Sequence, residues 1–156
     1  MTGRIDGGAL RGQARLMDGM RVCIDVEDVE RAAAFYAEAF GLRRGRKLGS
    51  SWVEMVGGAV PIDLLGTRAG SSATPAGTRR SFERHWTPVH VDVIVADVEE
   101  AVTRATRAGA TLDREIQERP YGRLANLSDP FGNGFCLIQM SAAGYDALLA
   151  EPEEIE

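Results

Sequence analysis

Side chains able to bind a metal or move a proton fall on a few short stretches of this chain. In VHVDVIV (89–95), strict alternation sets His90, Asp92 and Ile94 on one side of a strand and Val89, Val91, Val93 and Val95 on the other. In MRVCIDV (20–26), the same alternation sets Arg21, Cys23 and Asp25 against Val22, Ile24 and Val26. Asp63 sits in VPIDLL and Cys136 in GFCLIQM. Imidazole, thiolate and carboxylate are donors for a divalent cation. A thiol beside an imidazole is a nucleophile with its base. Arg21 is different: a guanidinium has no lone pair to give and stays protonated, so it suits carboxylates or anionic ligands. Spacing alone assembles no Cys–His dyad. Each residue also has a plain structural reading. His90 could be a hydrogen-bonded core residue, Asp63 the partner of Arg21 in an ion pair, and Cys23 and Cys136 small buried hydrophobes.

The elements that must position these groups follow from the same patterns. After the strand at 20–26, Asp28 is an N-cap and Glu30 a first-turn acid. Val29, Ala32, Ala33, Tyr36 and Phe40 recur at helical spacing, and Gly41 is a natural stop. Arg43, Arg44, Arg46 and Lys47 read as a solvated loop past that helix, with an anion site as the alternative. SWVEMV (51–56) and VPIDLL (60–65) read as strands joined at Gly57-Gly58, with Pro61 marking a strand start or an edge. The stretch 66–86, GTRAGSSATPAGTRRSFERHW, has no period and reads as a linker or mobile loop. The first pattern then returns. A strand at 89–95 precedes an Asp97 cap, Glu99 and Glu100, and a helix stripe of Val98, Ala101, Val102, Ala105 and Ala108 ended by Gly109. Further strands fit 113–118, 123–128 and 134–140, the last two joined by DPFGNG with its Asn133-Gly134 turn pair.

This is an internal repeat. Aligning Val26 with Val95 brings Asp28 onto Asp97, Val29 onto Val98, Glu30 onto Glu99 and Ala32 onto Ala101. One such unit is too small to bury its own sheet. The expected architecture is α+β: two βαβββ modules forming a curved mixed sheet, helices on one face, the more polar face lining a ligand cup. Module 1 spans 19–66 and module 2 spans 87–141, together one domain, with a linker at 67–86. A flexible arm at 1–18, with a short helix around Leu10–Met17, and a short helix and acidic tail at 142–156 flank them.

Composition sets the limits. The chain has 156 residues, 44% hydrophobic and 26% charged, as in ordinary globular proteins. Its net charge of −5 includes Glu151, Glu153, Glu154 and Glu156 at the extreme C-terminus, so the body is close to neutral. It offers no basic face for nucleic acid and no apolar run of the ~18 residues that cross a membrane. MTGRIDGGAL lacks the apolar stretch of a signal peptide, and two cysteines do not make a disulfide framework. A cytoplasmic setting with reduced thiols is expected.

The repeat, the V-x-D-V-E-x-A-x-x-FY stretch at 26–36 and the D-P-x-G-N turn at 129–133 resemble the vicinal oxygen chelate superfamily. Its members include glyoxalase I, extradiol dioxygenases, and fosfomycin and bleomycin resistance proteins. The resemblance covers about 20–140 and implies the doubled fold, a small-molecule cup and a homodimer. Metal-dependent members hold one divalent cation with four side chains, at the start of the first strand and on the last strand of each module. Those positions here are Arg21, His90, Asp63 and Cys136. Arg21 would repel a dication, so the resemblance implies a metal-free binder in which Arg21 and Asp63 orient the ligand. Trp52, Trp86 or Phe135 would stack on it, with Cys23 and Asp92 beside them. Tyr121-Gly122-Arg123 falls where the superfamily often has a substrate-side loop, and His85 and Trp86 either pack or cap the cup mouth. The alternative is a metal-dependent lyase, isomerase or dioxygenase with Zn, Ni, Fe or Mn on His90, Asp63 and Cys136. A third reading is a structural or regulatory dimer whose cup is filled by its own side chains.

Overall fold

The first strand, β1 (Val22–Val26), leads through Glu27 and Asp28 into helix α1 (Val29–Phe40). The Asp28 carboxylate accepts from the backbone N–H groups of Glu30 and Arg31, at 2.9 and 3.1 Å, satisfying two first-turn donors. Gly41 ends the helix at φ 67, a left-handed conformation that carries little cost without a Cβ. Three strands follow: β2 (Arg43–Lys47), β3 (Trp52–Val56) and β4 (Ile62–Gly66). The second unit repeats the plan with β5 (Val91–Ile94), α2 (Val98–Ala108), β6 (Thr111–Leu112), β7 (Gln117–Arg119), β8 (Gly122–Ser128) and β9 (Gly134–Met140). A short 3-10 helix at Gly144–Leu149 is the last element of the described residues. This computed structural model describes residues 19–149, so the arm and the acidic tail read from the sequence lie outside the described residues.

Each module contributes one mixed sheet. The first has the order β1-β4-β3-β2, the second β5-β9-β8-β6 with β7 also on β8. In both, the first strand runs parallel to the last, β1 with β4 and β5 with β9. The apolar faces of both sheets and of both helices meet in one core.

Three expectations need correction. Arg43–Lys47 is not a loop but edge strand β2, antiparallel to β3 with a register shift, and its side chains are exposed. A charged edge strand looks like a loop from composition, because charge is how exposed edges avoid further pairing. The single strand expected at 113–118 is two short ones, β6 and β7, on either side of an irregular stretch. The buried face of α1 also takes in Phe35 and Ala39, giving it a wider apolar stripe because it packs against both modules.

That junction is aromatic and polar at once. Phe135 of β9 lies 5.1 Å from the Phe40 ring and 6.3 Å from the Phe35 ring, both near edge-on. The buried Tyr36 hydroxyl donates to Asp129 at 2.8 Å. Asp129 also accepts from the backbone N–H groups of Phe131 and Asn133, which builds the DPFGNG turn. Asn133 Nδ2 donates across to the Asp25 carbonyl at 3.2 Å. The linker contains no helix or named strand, only a bridge between Ser72 and Arg79. It is tied down by Arg80–Asp25 at 2.6 Å and Arg84–Asp113 at 2.9 Å. It also presses on the turn: a Cβ at Gly132, where φ is 81, would stand 2.6 Å from the Glu83 carbonyl oxygen.

Candidate functional site

Alternation and register decide which side chains share the open face of each sheet. In module 1, Cys23 lies opposite Asp63, and Asp63 opposite Glu54, across β1, β4 and β3. Arg21 precedes this row and reaches back over it. Its Nε and one terminal nitrogen donate to the two oxygens of Asp63 at 2.6 and 2.7 Å, and it also donates to Glu54 at 2.6 Å. Arg46 holds Glu54 from the other side through two bonds of 2.7 Å. Trp52 Nε1 donates to Asp63 at 2.9 Å. The two carboxylates are buried, Asp63 at 1% exposure and Glu54 at 5%. Arg46, then Arg21, holds Glu54 ionised and lowers its pKa to about 2 against the opposing effect of burial. Arg21 holds Asp63 below its ordinary value in the same way, with help from Trp52. Glu54 was not singled out in the sequence, although the alternation of SWVEMV places it between Trp52 and Val56 on one face, and Arg46 was read only as part of the basic stretch 43–47, not as a partner of Glu54.

In module 2 the row is Asp92, Cys136 and Asn126 across β5, β9 and β8. His90 precedes it and meets Asp92, Nε2 to Oδ1, at 3.1 Å. Asn126 Nδ2 donates to the Cys136 sulfur at 3.2 Å. One donor atom each from His90, Asp92 and Cys136 lies within 4.8 Å of the others. Burial first, and then the Asp92 charge, pushes the Cys136 thiol up to about 11, so without a metal it is protonated. That makes it a poor nucleophile as it stands.

The other sequence candidates separate. Cys23 is exposed and Cys136 buried, so the buried-hydrophobe reading fails for Cys23. Tyr121 packs on Tyr145 at 5.1 Å. Arg123 does not face the cup: it pairs with Glu99 of α2 at 2.7 Å and Glu118 of β7 at 3.0 Å, on the helix side of β8. Phe135 is core, while Trp86 is 82% exposed. Among the described residues, no hydrogen bond or ion pair joins the Arg21–Asp63–Glu54 set to the His90–Asp92–Cys136 set.

A cleft runs along the seam where β1 and the segment leading into β5 face each other. It has a volume of about 350 Å³. Val22, Ile24, Tyr36, Phe40, Val89 and Phe135 give it apolar walls, and Cys23, Asp25, Thr87 and His90 its polar points. A smaller pocket of about 140 Å³ adjoins it over His90, Asn126 and Cys136.

The glyoxalase-like domain profile matches residues 21–138, which spans both modules and both rows. The chain belongs to the glyoxalase-like domain family. Among curated proteins it is 28% identical over 117 residues to the anthracycline biosynthesis protein DauV of Streptomyces sp. (strain C5). That match covers 75% of this chain and 39% of the relative, so the chain spans about two fifths of the relative's length. Among solved structures, the antibiotic binding protein TnmS3 from Streptomyces sp. CB03234 has a TM-score of 0.59 at 22% identity, covering 83% of this chain and 100% of that one. A variant of the fosfomycin resistance protein FosX from Listeria monocytogenes, complexed with Mn(II) and a dihydroxypropylphosphonic acid, has a TM-score of 0.63 at 17% identity. It covers 82% of this chain and 94% of that one. The likenesses to solved structures bear on the fold of this glyoxalase-like protein.

The family fold includes metal-dependent proteins, so the donors must be tested against a cation. The four-position arrangement expected from the resemblance does not fit. Arg21 stands at one position and occupies the carboxylate of another with two short bonds. The donors of module 2 do fit a divalent ion in kind: imidazole, carboxylate and thiolate.

Proposed function

We propose that this glyoxalase-like protein binds a small organic molecule in the seam cleft, without a metal shared between its modules. The observation that carries this reading is the cleft itself. A volume of about 350 Å³ falls within the roughly 300–1,000 Å³ of ordinary ligand sites, and its apolar walls with a few polar points are the usual lining. Arg21, adjacent to the Val22 wall and 41% exposed at its side chain, offers its remaining surface to an anionic or carbonyl group. The names of its relatives, one an anthracycline biosynthesis protein and one an antibiotic binding protein, support a polycyclic or aromatic ligand.

The test is a fluorescence titration with an anthracycline, repeated on Ile24→Trp, which fills the cleft. Saturable binding weakened at least about tenfold by the substitution supports the reading. Absence of saturable binding to this and to smaller aromatic acids overturns it.

A second reading, a metal-dependent lyase, isomerase or dioxygenase, is favoured by the convergence of His90, Asp92 and Cys136. In such an enzyme the metal polarises substrate oxygens. His90 would hold the ion and line the cleft, and the apolar walls would exclude water. Turnover that follows metal loading separates it from simple binding. We also place a second copy of the chain against module 2, where Ile94 on edge strand β5 is 56% exposed. Light scattering after gel filtration reads the dimer directly.

A further inference from the structure

We propose that His90, Asp92 and Cys136 form a cation site contained wholly within module 2, for Zn²⁺ or another thiophilic divalent ion. The inference goes beyond the binding reading: Arg21 bars a cation from the position shared between modules but leaves this one alone. Three observations carry it.

The first is geometry. The three donor atoms lie within 4.8 Å of one another, and the closest pair, His90 Nε2 and Asp92 Oδ1, is already at 3.1 Å. Tetrahedral ligation at ~2.0–2.3 Å requires donors about 3.3–3.6 Å apart, so rotamer adjustments suffice. The backbone fixes the arrangement, because Asp92 and Cys136 are register partners on paired strands and His90 shares their face.

The second is charge. The acidic groups near Cys136 are Asp92 and Asp113. The nearby cation, Arg84, is spent on Asp113 through bonds of 2.9 and 3.2 Å and on the His85 carbonyl at 2.6 Å. Arg21 is likewise committed, to Asp63 and Glu54 in the other module. A dication at His90 therefore meets compensating negative charge rather than a free guanidinium.

The third is ligand type and access. Sulfur and imidazole select Zn²⁺, Co²⁺ or Cu over Mg²⁺ and Ca²⁺. Asn126 Nδ2 on the Cys136 sulfur is an outer partner that would stay in place on a thiolate. Binding releases the thiol proton to solvent, and the sulfur lone pair so freed makes the metal bond. Three protein ligands leave one position of a tetrahedron, and the pocket over His90 and Cys136 gives a water or an oxygen of the cleft ligand a way in.

The experiment uses the full chain, stripped with chelator and titrated with Co²⁺ and then Zn²⁺. A thiolate-to-cobalt charge-transfer band with one-to-one stoichiometry, bleached by Zn²⁺, is the expected result. Losing a partner outside the ligand shell already costs roughly 10–100-fold in affinity. His90→Ala, Asp92→Asn and Cys136→Ser should therefore each weaken Zn²⁺ by at least about 100-fold. Cys23→Ser and Asp63→Asn should leave both band and affinity unchanged. Circular dichroism of each variant separates ligand loss from unfolding, and the exposed His90 supplies a variant that keeps its fold if Cys136→Ser does not. No band in the unmodified chain, a band abolished by Asp63→Asn, or Zn²⁺ binding that survives His90→Ala and Cys136→Ser overturns the site. Failure of the anthracycline titration leaves it standing, since the metal readout needs no organic ligand.

Discussion

The open faces of the two modules carry the same kinds of group in inverted places. Module 1 has its thiol on the first strand, Cys23, and its carboxylate on the last, Asp63. Module 2 has the carboxylate first, Asp92, and the thiol last, Cys136. The residue ahead of each row sets the row's character. Arg21 brings two fixed donor bonds to Asp63 and a third to Glu54, and with Arg46 and Trp52 it satisfies the two buried carboxylates of that face. His90 brings one nitrogen to Asp92 and leaves both groups more than a third exposed at the side chain. Two copies of one topology thus divide into a face closed by its own ion pairs and a face with donors to spare. Buried ion pairs of this kind add little net stability but are costly to break singly.

The largest expected effect tests whether the two faces belong to one folding unit at all. Phe135 joins β9 to the aromatic side of α1 and is buried. Phe135→Ala should cost about 3–5 kcal/mol and lower the urea midpoint of a single transition. Two separated transitions would show that the modules are independent, and the contrast between them would then be one of two domains. Next in size is Arg21→Met. It takes from buried Asp63 the guanidinium that holds both its oxygens, leaving the Trp52 bond, and from buried Glu54 one of two guanidinium partners. The melting temperature should fall by several degrees, and Asp63→Asn in the same chain should recover part of the loss. An unchanged melting temperature would mean that module 1 is not closed by this network.

Much of this contrast was legible in the sequence. The period of MRVCIDV and VHVDVIV put Arg21 with Cys23, and His90 with Asp92, on the open faces, and both helix caps and both glycine stops stand where the spacing predicts them. What escaped depended on register between strands distant in sequence. Glu54 faces Asp63 only because β3 pairs with β4, and Asp92 joins Cys136 only because β5 pairs with β9. The superfamily resemblance assigned one position per strand, so it grouped Asp63 with His90 and Cys136. In the fold, Asp63 goes to Arg21 and Asp92 stands with His90 and Cys136. Arg123 departs from its expected place for a simpler reason: a turn residue's neighbour in sequence can point to the opposite face, and this one bonds to Glu99 on α2.

Acid titration sharpens the comparison further. The folded pKa of Glu54 is about 2, below its ordinary 4.5, and Asp63 is also depressed. A depressed carboxylate contributes stability that is present above the ordinary value and is lost as the pH falls through the folded one. The stability of the chain should therefore decline between about pH 4.5 and 2. Glu54→Gln should flatten that limb while lowering the plateau near neutrality. Glu30, held to about 2 by Arg44 and Lys47, contributes over the same window and sets the residual slope.

The smallest effect is the most telling for module 2. His90→Ala removes an exposed side chain with one polar partner in the row, and substitutions of that kind usually stay within about 0.5 kcal/mol. The urea midpoint should hardly move. If the open face is kept for a ligand rather than for the fold, binding must fall where stability does not. Arg21 and His90 then stand at equivalent positions of the repeat with opposite signatures: one costs stability when removed, the other a bound cation. A large loss of stability in His90→Ala would make the second row a structural network like the first.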